Sequence, residues 1–324
     1  MARSTSKTKY FCSIVIPIYK ESSYFAQVFI KLNAVVESLG IAYEFIIVDD
    51  GSPDDTWKVV RDLVRQYPQV ITAVRLSRNF GKENALCAGL EMAKGDAAIV
   101  MDGDLQHPPE LIPQMIRIWQ QSEVNIVEAV KVSRGRESWI SKIGAQIFYA
   151  VFNYLSGYNL KGASDYKLLD RKVIDAWLKM GERNLFFRGM TAWLGFRRAT
   201  IPFEVPRRFG GKSAWSTIKL IGLAFTGLTA FSSLPLYLIT LLGFIFLIPA
   251  VAIGLQTLYL KFTGAAVDGF TTVILLLLII GGLLMIGLGT IGLYIARIYE
   301  EVKARPRYLI AEITHNTKDI QQTK

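Results

Sequence analysis

The chain has 324 residues, 51% of them hydrophobic, and its 37 Lys and Arg against 27 Asp and Glu leave a formal net charge of +10. With a mean hydropathy of +0.30, this composition puts part of the chain in lipid, as two domains or as one domain with an appendage. No aromatic-basic repeat or nucleic-acid module accompanies the charge, so it is read as attraction to anionic headgroups and phosphate-bearing substrates, with nucleic acid excluded.

Met1 to Tyr10 is polar and basic with no apolar core, which excludes a secretory signal peptide and keeps the amino-terminal two thirds in the cytoplasm. Ser13 to Tyr19 is a β-branched run that Pro17 brings to an end; a loop over Lys20 to Ser23 and a helix stopping at Gly40 follow. Tyr43 to Ser52 is a second buried strand ending in Asp49 and Asp50, with Ser52, Pro53 and Asp55 as a capping arrangement for the helix through Arg65. Val70 to Leu76 is the third strand, and Ser77 to Asn84 carries Arg78 and Lys82 into a helix ending near Lys94. The apolar run from Ile99 is the fourth, and it delivers Asp102, Asp104 and Gln106 at its carboxyl end before Pro108 and Pro109 start a helix. Asn125 to Val132 is the fifth. Strands alternating with helices at this spacing predict an α/β fold, a mostly parallel sheet covered on both faces with its acidic strand ends on one edge. Cys12 and Cys87 lie in apolar patterns without metal-ligand spacing and read as reduced core cysteines.

In open α/β sheets ligands sit at the carboxyl ends of the strands. Asp102 and Asp104 can turn into one crevice there, and hard oxygen ligands beside a phosphate are how proteins hold Mg²⁺ or Mn²⁺. Taken alone, Asp-Gly-Asp is also an ordinary polar turn. His107 reads as a turn residue, and Asp170 with Arg171 as a helix start with its cap.

Between Lys219 and Lys261, and again between Asp268 and Arg297, no charged residue occurs, and each gap exceeds the roughly 20 apolar residues that span a bilayer. Two transmembrane helices are predicted, over about 234–260 and 270–295, with Pro249 kinking the first. The stretch 213–233, with Trp215 beside a basic cluster, fits amphipathic helices lying in the interface. Lys212, Lys219, Arg297, Lys303, Arg305 and Arg307 flank the outer ends against Lys261 alone in the turn, which makes both termini cytoplasmic. The polar tail is read as a short helix or as disordered.

The ordered series Val15-x-Pro17-x-Tyr19-x-Glu21, Val48-Asp49-Asp50-Gly51-Ser52-x-Asp54, Asn79-Phe80-Gly81-Lys82 and Asp102-x-Asp104-x-Gln106-x-Pro108-Pro109 resembles the motifs of family 2 inverting glycosyltransferases of GT-A fold. Ser164 to Arg171 and Arg207 to Ser213 resemble the later motifs of the branch that glycosylates polyisoprenyl phosphates, which includes bactoprenol glucosyltransferases and dolichol-phosphate mannose synthases. The resemblance implies a GT-A domain over 1–205, a juxtamembrane segment over 206–233, the helix pair within 234–297 and a cytoplasmic tail over 298–324. It implies Asp104 as the direct metal ligand, with Asp102 and Gln106 alongside, and Mg²⁺ or Mn²⁺ as the ion. Pro17, Tyr19, Glu21 and Asp50 are then nucleoside-pocket residues, Asp102 contacts ribose or a metal-bound water, and Asp165 takes the catalytic position near the acceptor. Lys82 either pairs with phosphate or stands solvated at a helix start, and Asp49 is as readily a turn former as a ligand.

A sugar hydroxyl acceptor needs a general base, whereas a phosphate monoester is mostly dianionic at pH 7 because its second pKa is about 6. A lipid-phosphate acceptor calls for cations, and Arg134, Arg136, Arg207, Arg208 and Lys212 supply them. The leading expectation is inverting transfer of glucose from UDP-glucose to polyprenyl phosphate, with a nucleotide-diphosphate sugar, the lipid and the membrane as partners and self-association left open. GDP-mannose or another UDP-sugar are the alternatives on the same fold, and a transporter or channel subunit with a nucleotide-sensing domain is the alternative of another class.

Overall fold

A computed structural model describes residues 10–133, 164–183, 185–204, 234–263 and 269–315. It divides into two compact units, one formed by Met1–Leu220 with Pro306–Lys324 and the other by Ile221–Arg305.

The first unit opens with β1 (Phe11–Ile18), α1 (Phe25–Glu37), β2 (Ala42–Asp49), α2 (Thr56–Gln66), β3 (Ile71–Leu76), α3 (Lys82–Met92) and β4 (Ala97–Val100). After a short 3₁₀ turn at Pro109–Leu111 come α4 (Ile112–Gln121), β5 (Ile126–Ser133), β6 (Lys167–Asp170), α5 (Arg171–Leu178), α6 (Phe187–Trp193), β7 (Arg198–Glu204) and β8 (Ile310–Thr314). The strands form one sheet in the order β7-β5-β6-β4-β1-β2-β3-β8. β1 pairs parallel with β2 and β4, β2 with β3, and β5 with β7.

Alternate residues of the strands serve opposite faces. Ile14, Ile16 and Ile18 of β1 join Phe25, Phe29 and Leu32 of α1, Trp57 of α2, and Ile112 and Met115 of α4 in one apolar cluster. On the other face α3 lies so close to the sheet that a Cβ on Gly89 would collide with the Val15 side chain. Both faces are therefore covered, as the strand-helix alternation predicts.

Three local expectations change. The fifth strand does not simply extend the parallel run: β6 inserts between β4 and β5, antiparallel to both. Its amino end consequently lies beside the carboxyl end of β4, with Lys167 opposite Val100. The tail, read from sequence as helix or disorder, contains β8, which pairs antiparallel with β3. At α2 the helix start is bonded by Asp54, which accepts from the Thr56 amide, while Ser52 accepts from the Lys20 amide instead of capping. Pro17 lies one residue before the end of β1, where the β4 ladder has already stopped at Val15, so its missing N–H leaves no gap on that side.

Asp170 is the cap of α5, accepting from the Lys172 amide at 2.9 Å. Glu128 and Lys167, opposite each other in β5 and β6, form a buried ion pair at 3.3 Å, and the lysine also donates to Thr191 of α6 at 2.7 Å. Cys12 and Cys87 are buried free thiols, and burial pushes them up to about 12 and about 11.

The second unit contains α7 (Leu234–Phe262), which includes Pro249, and α8 (Phe270–Lys303). Among the described residues the stretch long and apolar enough to cross a membrane is Ile279–Lys303, one span where two were expected. α7 and α8 come close at Gly287, where a Cβ would stand 3.3 Å from Ile239. The predicted interfacial stretch 213–233 lies outside the described residues.

Candidate active site

The carboxyl ends of β1, β2 and β4 deliver Tyr19 and Glu21, Asp49 and Asp50, and Asp102 and Asp104 to one edge of the sheet. The reversed direction of β6 adds Asp165, two residues before its first residue, to that same edge. A β6 running parallel to β4 would have started at the other end, so the antiparallel insertion is what brings Asp165 to this edge.

Lys82, the first residue of α3, joins the two acidic motifs. Its Nζ lies 2.5 Å from Asp102 Oδ1 and 2.7 Å from Asp165 Oδ2. Arg188 of α6 grips Asp165 from the other side, Nε to Oδ1 at 2.7 Å and Nη2 to Oδ2 at 2.9 Å. Burial alone would raise the Asp165 carboxyl, yet the Arg188 guanidinium and the Lys82 ammonium hold it well below the usual carboxylate range. Burial likewise opposes the charge on Lys82, and Asp102 and Asp165 override it to raise the ammonium above its ordinary value. Lys82 is thus a paired cation inside the crevice and not a solvated helix-start lysine.

His107 is buried, stacks on Tyr166 at 4.9 Å and accepts the Asp102 amide at Nδ1, 2.9 Å away. Burial pushes its imidazole down to about 4, so near neutral pH it is uncharged and carries its proton on Nε2, facing Asp102 at 3.8 Å. It braces the Asp102 loop by accepting the Asp102 amide; the turn role expected from sequence understates it.

Glu21 stands beneath Gly103. A Cβ at 103 would collide with Glu21 Oε2, a buried oxygen without a hydrogen-bond partner among the described residues. Burial first, then the negative charges of Asp104 and Asp102, push Glu21 up to about 8. Asp104 Oδ1 accepts the Gln106 amide at 3.1 Å, so Gln106 contributes its backbone to this loop.

Asp50 holds the loop after β3 by two backbone bonds, from Phe80 N at 2.7 Å and Gly81 N at 2.9 Å, which oppose the rise that burial imposes on its carboxyl. Asp49 accepts the Ser52 amide at 3.1 Å and faces Arg75 at 3.6 Å, which favours its turn-forming role. Pro17 is buried in the sheet, and Tyr19 is 39% exposed at the crevice mouth.

Sequence reasoning missed Arg188, Glu83 and Lys131. Glu83 accepts the Phe187 amide at 2.9 Å and so seats α6 against α3. Burial, then Asp165, push Glu83 up to about 7. Lys131 of β5 is lowered by burial and by Arg188, which puts a third cation in reach of the cluster. The one available signal for Arg188 was a lone charge in the otherwise uncharged stretch from Leu185 to Phe196. Arg134, Arg136, Arg207, Arg208 and Lys212 lie outside the described residues.

The family model for glycosyl transferase family 2 matches residues 13–178. The chain belongs to that family. An uncharacterised glycosyltransferase of Synechocystis sp. is 40% identical over 93% of this chain and 95% of its own length. A prophage-derived bactoprenol glucosyl transferase of Shigella flexneri is 34% identical over 92% of this chain and 96% of its own. The undecaprenyl-phosphate 4-deoxy-4-formamido-L-arabinose transferase of Edwardsiella ictaluri is 31% identical over 99% and 100%. The protein is a glycosyltransferase, and its sheet carries the expected β-α succession of a GT-A domain.

Proposed function

We propose that this glycosyltransferase moves glucose from UDP-glucose to a polyprenyl phosphate at the cytoplasmic face of a membrane, with inversion at the anomeric carbon. The observation that carries the acceptor assignment is the state of Asp165. Its carboxylate is ionised, but both oxygens are engaged by Lys82 and Arg188, which makes it a poor proton acceptor. A site without an available base suits an acceptor that arrives already deprotonated, and a phosphate monoester does so at pH 7. Bactoprenol and undecaprenyl phosphate in the names of two relatives support the same acceptor class.

In this reading Asp165 fixes Lys82 and Arg188 in the crevice, and these cations, with Arg134, Arg136, Arg207, Arg208 and Lys212, attract and orient the acceptor phosphate. Tyr19, Glu21 and Asp50 face the nucleoside, and Lys82 with Asp102 faces the donor's charged end. Asp104 and Asp102, with Gln106 adjoining, would hold Mg²⁺ or Mn²⁺. Among the described residues no three His, Cys, Asp or Glu side chains converge as a complete cage. Two carboxylates at a strand end, beside a buried Glu21 oxygen that has no hydrogen-bond partner among the described residues, would suit a divalent ion together with a substrate diphosphate. When bound, such an ion would neutralise charge on the leaving diphosphate.

The apolar stretch Ile279–Lys303 of α8 anchors the protein in the membrane, with the basic residues that follow it on the cytoplasmic side. Incubating the purified protein with UDP-glucose and polyprenyl phosphate and weighing the extracted lipid by mass spectrometry tests the reading. The expected product is heavier than the acceptor by one hexose, and an unchanged lipid refutes the reading.

A further inference from the structure

The loop Ser77–Gly81 has to be held at both ends, because its Phe80 and Gly81 amides are the groups bonded to Asp50. At its far end the Ser77 amide donates to the carbonyl of Leu309, far along the chain, at 2.9 Å. Leu309 begins the segment that becomes β8, which pairs along β3 from Leu76–Ile310 to Ala73–Thr314. The bond therefore continues the β8 ladder directly into the loop.

A second line runs from the same segment to the end of β2. Glu312 accepts from the Trp57 indole at 2.9 Å. Arg75 lies over that indole, 5.9 Å from its ring, and reaches Asp49 at 3.6 Å and the Ser52 carbonyl at 3.3 Å. Between these residues Gly51 has no room for a side chain, since a Cβ would collide with the Arg78 backbone. On the other side of the loop, Arg307 binds the Met180 carbonyl and Cys87, and Tyr308 binds Glu91, which fastens the segment to α3 and to the residues after α5.

We infer that segment 306–314 is a positioning strap for the nucleotide pocket: by pairing with β3 and holding Ser77, it sets the loop whose amides orient Asp50. A strand added only to cover the edge of β3 would need the ladder alone. The bond to the loop and the Trp57 contact reach beyond the ladder, to the loop whose amides bond Asp50 and to the helix that follows the Asp49–Asp50 turn. The inference rests on the reading of Asp50 as a nucleotide-pocket residue, and the strap is a positioning element that touches no reacting atom.

The test uses the full chain in nanodiscs, with Ile310→Pro, which constrains the backbone next to the Leu309 carbonyl at the residue paired with Leu76, and the milder Glu312→Ala. Hydrogen exchange at the Phe80 and Gly81 amides should quicken by about tenfold in Ile310→Pro, the size of one lost backbone hydrogen bond, and in the same direction in Glu312→Ala. KM for UDP-glucose should rise while kcat and KM for polyprenyl phosphate stay within about twofold, and the effect should be largely absent when Asp50→Asn is already present. Unchanged exchange at Phe80 and Gly81 in both variants would overturn the inference, as would full additivity with Asp50→Asn. If Asp50→Asn alone leaves KM for UDP-glucose unaltered, the nucleotide reading of Asp50 fails, while the exchange measurement still decides whether the strap holds the loop.

Discussion

Lys82 Nζ lies 2.5 Å from Asp102 Oδ1, tying the start of α3 to the acidic end of β4. The same ammonium bonds Asp165, so one lysine separates two carboxylates that would otherwise repel across the crevice. Replacing it with methionine should cost roughly 100-fold or more in kcat/KM, on the scale of a misplaced catalytic constellation. Lys82→Arg should retain part of the activity because the charge remains. Steady-state kinetics of the two variants check this, and equal loss in both would mean that shape and not charge is what matters.

Asp165→Asn leaves Lys82 and Arg188 without their shared anchor. Transfer should fall by roughly 10- to 100-fold without disappearing, since the proposed acceptor needs no deprotonation. The residual rate should follow acceptor ionisation near its second pKa of about 6. No measurable turnover from about pH 6 to 9, with both substrates still bound, would return the role of base to Asp165.

How far the sequence discloses this site depends on how local each signal is. Asp102 and Asp104 stand out because an apolar run of strand length stops directly before them. Asp165 can be matched to a motif, but its position beside Asp102 at the carboxyl edge of the sheet follows from the antiparallel insertion of β6. A four-residue strand, Lys-Leu-Leu-Asp, carries no mark of its direction. Arg188 belongs to a seven-residue helix with no motif, and its role exists only because Glu83 and Lys167 seat that helix. β8 escaped for a related reason. Its partner lies more than two hundred residues earlier, and a strand of five residues in a polar tail has no local stabilisation to advertise.

Glu83 provides a pH signature. Its carboxyl is raised to about 7, so the fold favours the protonated form. The penalty is absent below its unfolded value of about 4.5 and grows as pH rises toward 7. Glu83→Gln still accepts the Phe187 amide and removes the penalty. The difference in thermal midpoint between variant and wild type should therefore widen in the variant's favour from pH 5 to 7. A difference that is flat over that range would show that Glu83 is not held against ionisation.

The buried Lys167–Glu128 pair makes a stability prediction. Lys167→Met leaves Glu128 buried with Arg198 at 3.9 Å as its remaining cation, and should destabilise by about 3–5 kcal/mol. Adding Glu128→Leu should recover much of the loss, because no buried charge then stands unpaired at that position. Chemical denaturation in detergent measures both, and a double variant no more stable than the single would contradict the pair's isolation.

An acceptor that needs cations and no base is tested most directly by one comparison of substrates. The wild-type protein is given UDP-glucose with polyprenyl phosphate in one reaction and with the matching polyprenol in another, and the extracted lipids are weighed. Glucosylated polyprenyl phosphate with no glucosylated polyprenol is the predicted result. Polyprenol glucosylated at a comparable rate would contradict it, since a hydroxyl acceptor requires a base that Asp165, gripped by Lys82 and Arg188, does not supply.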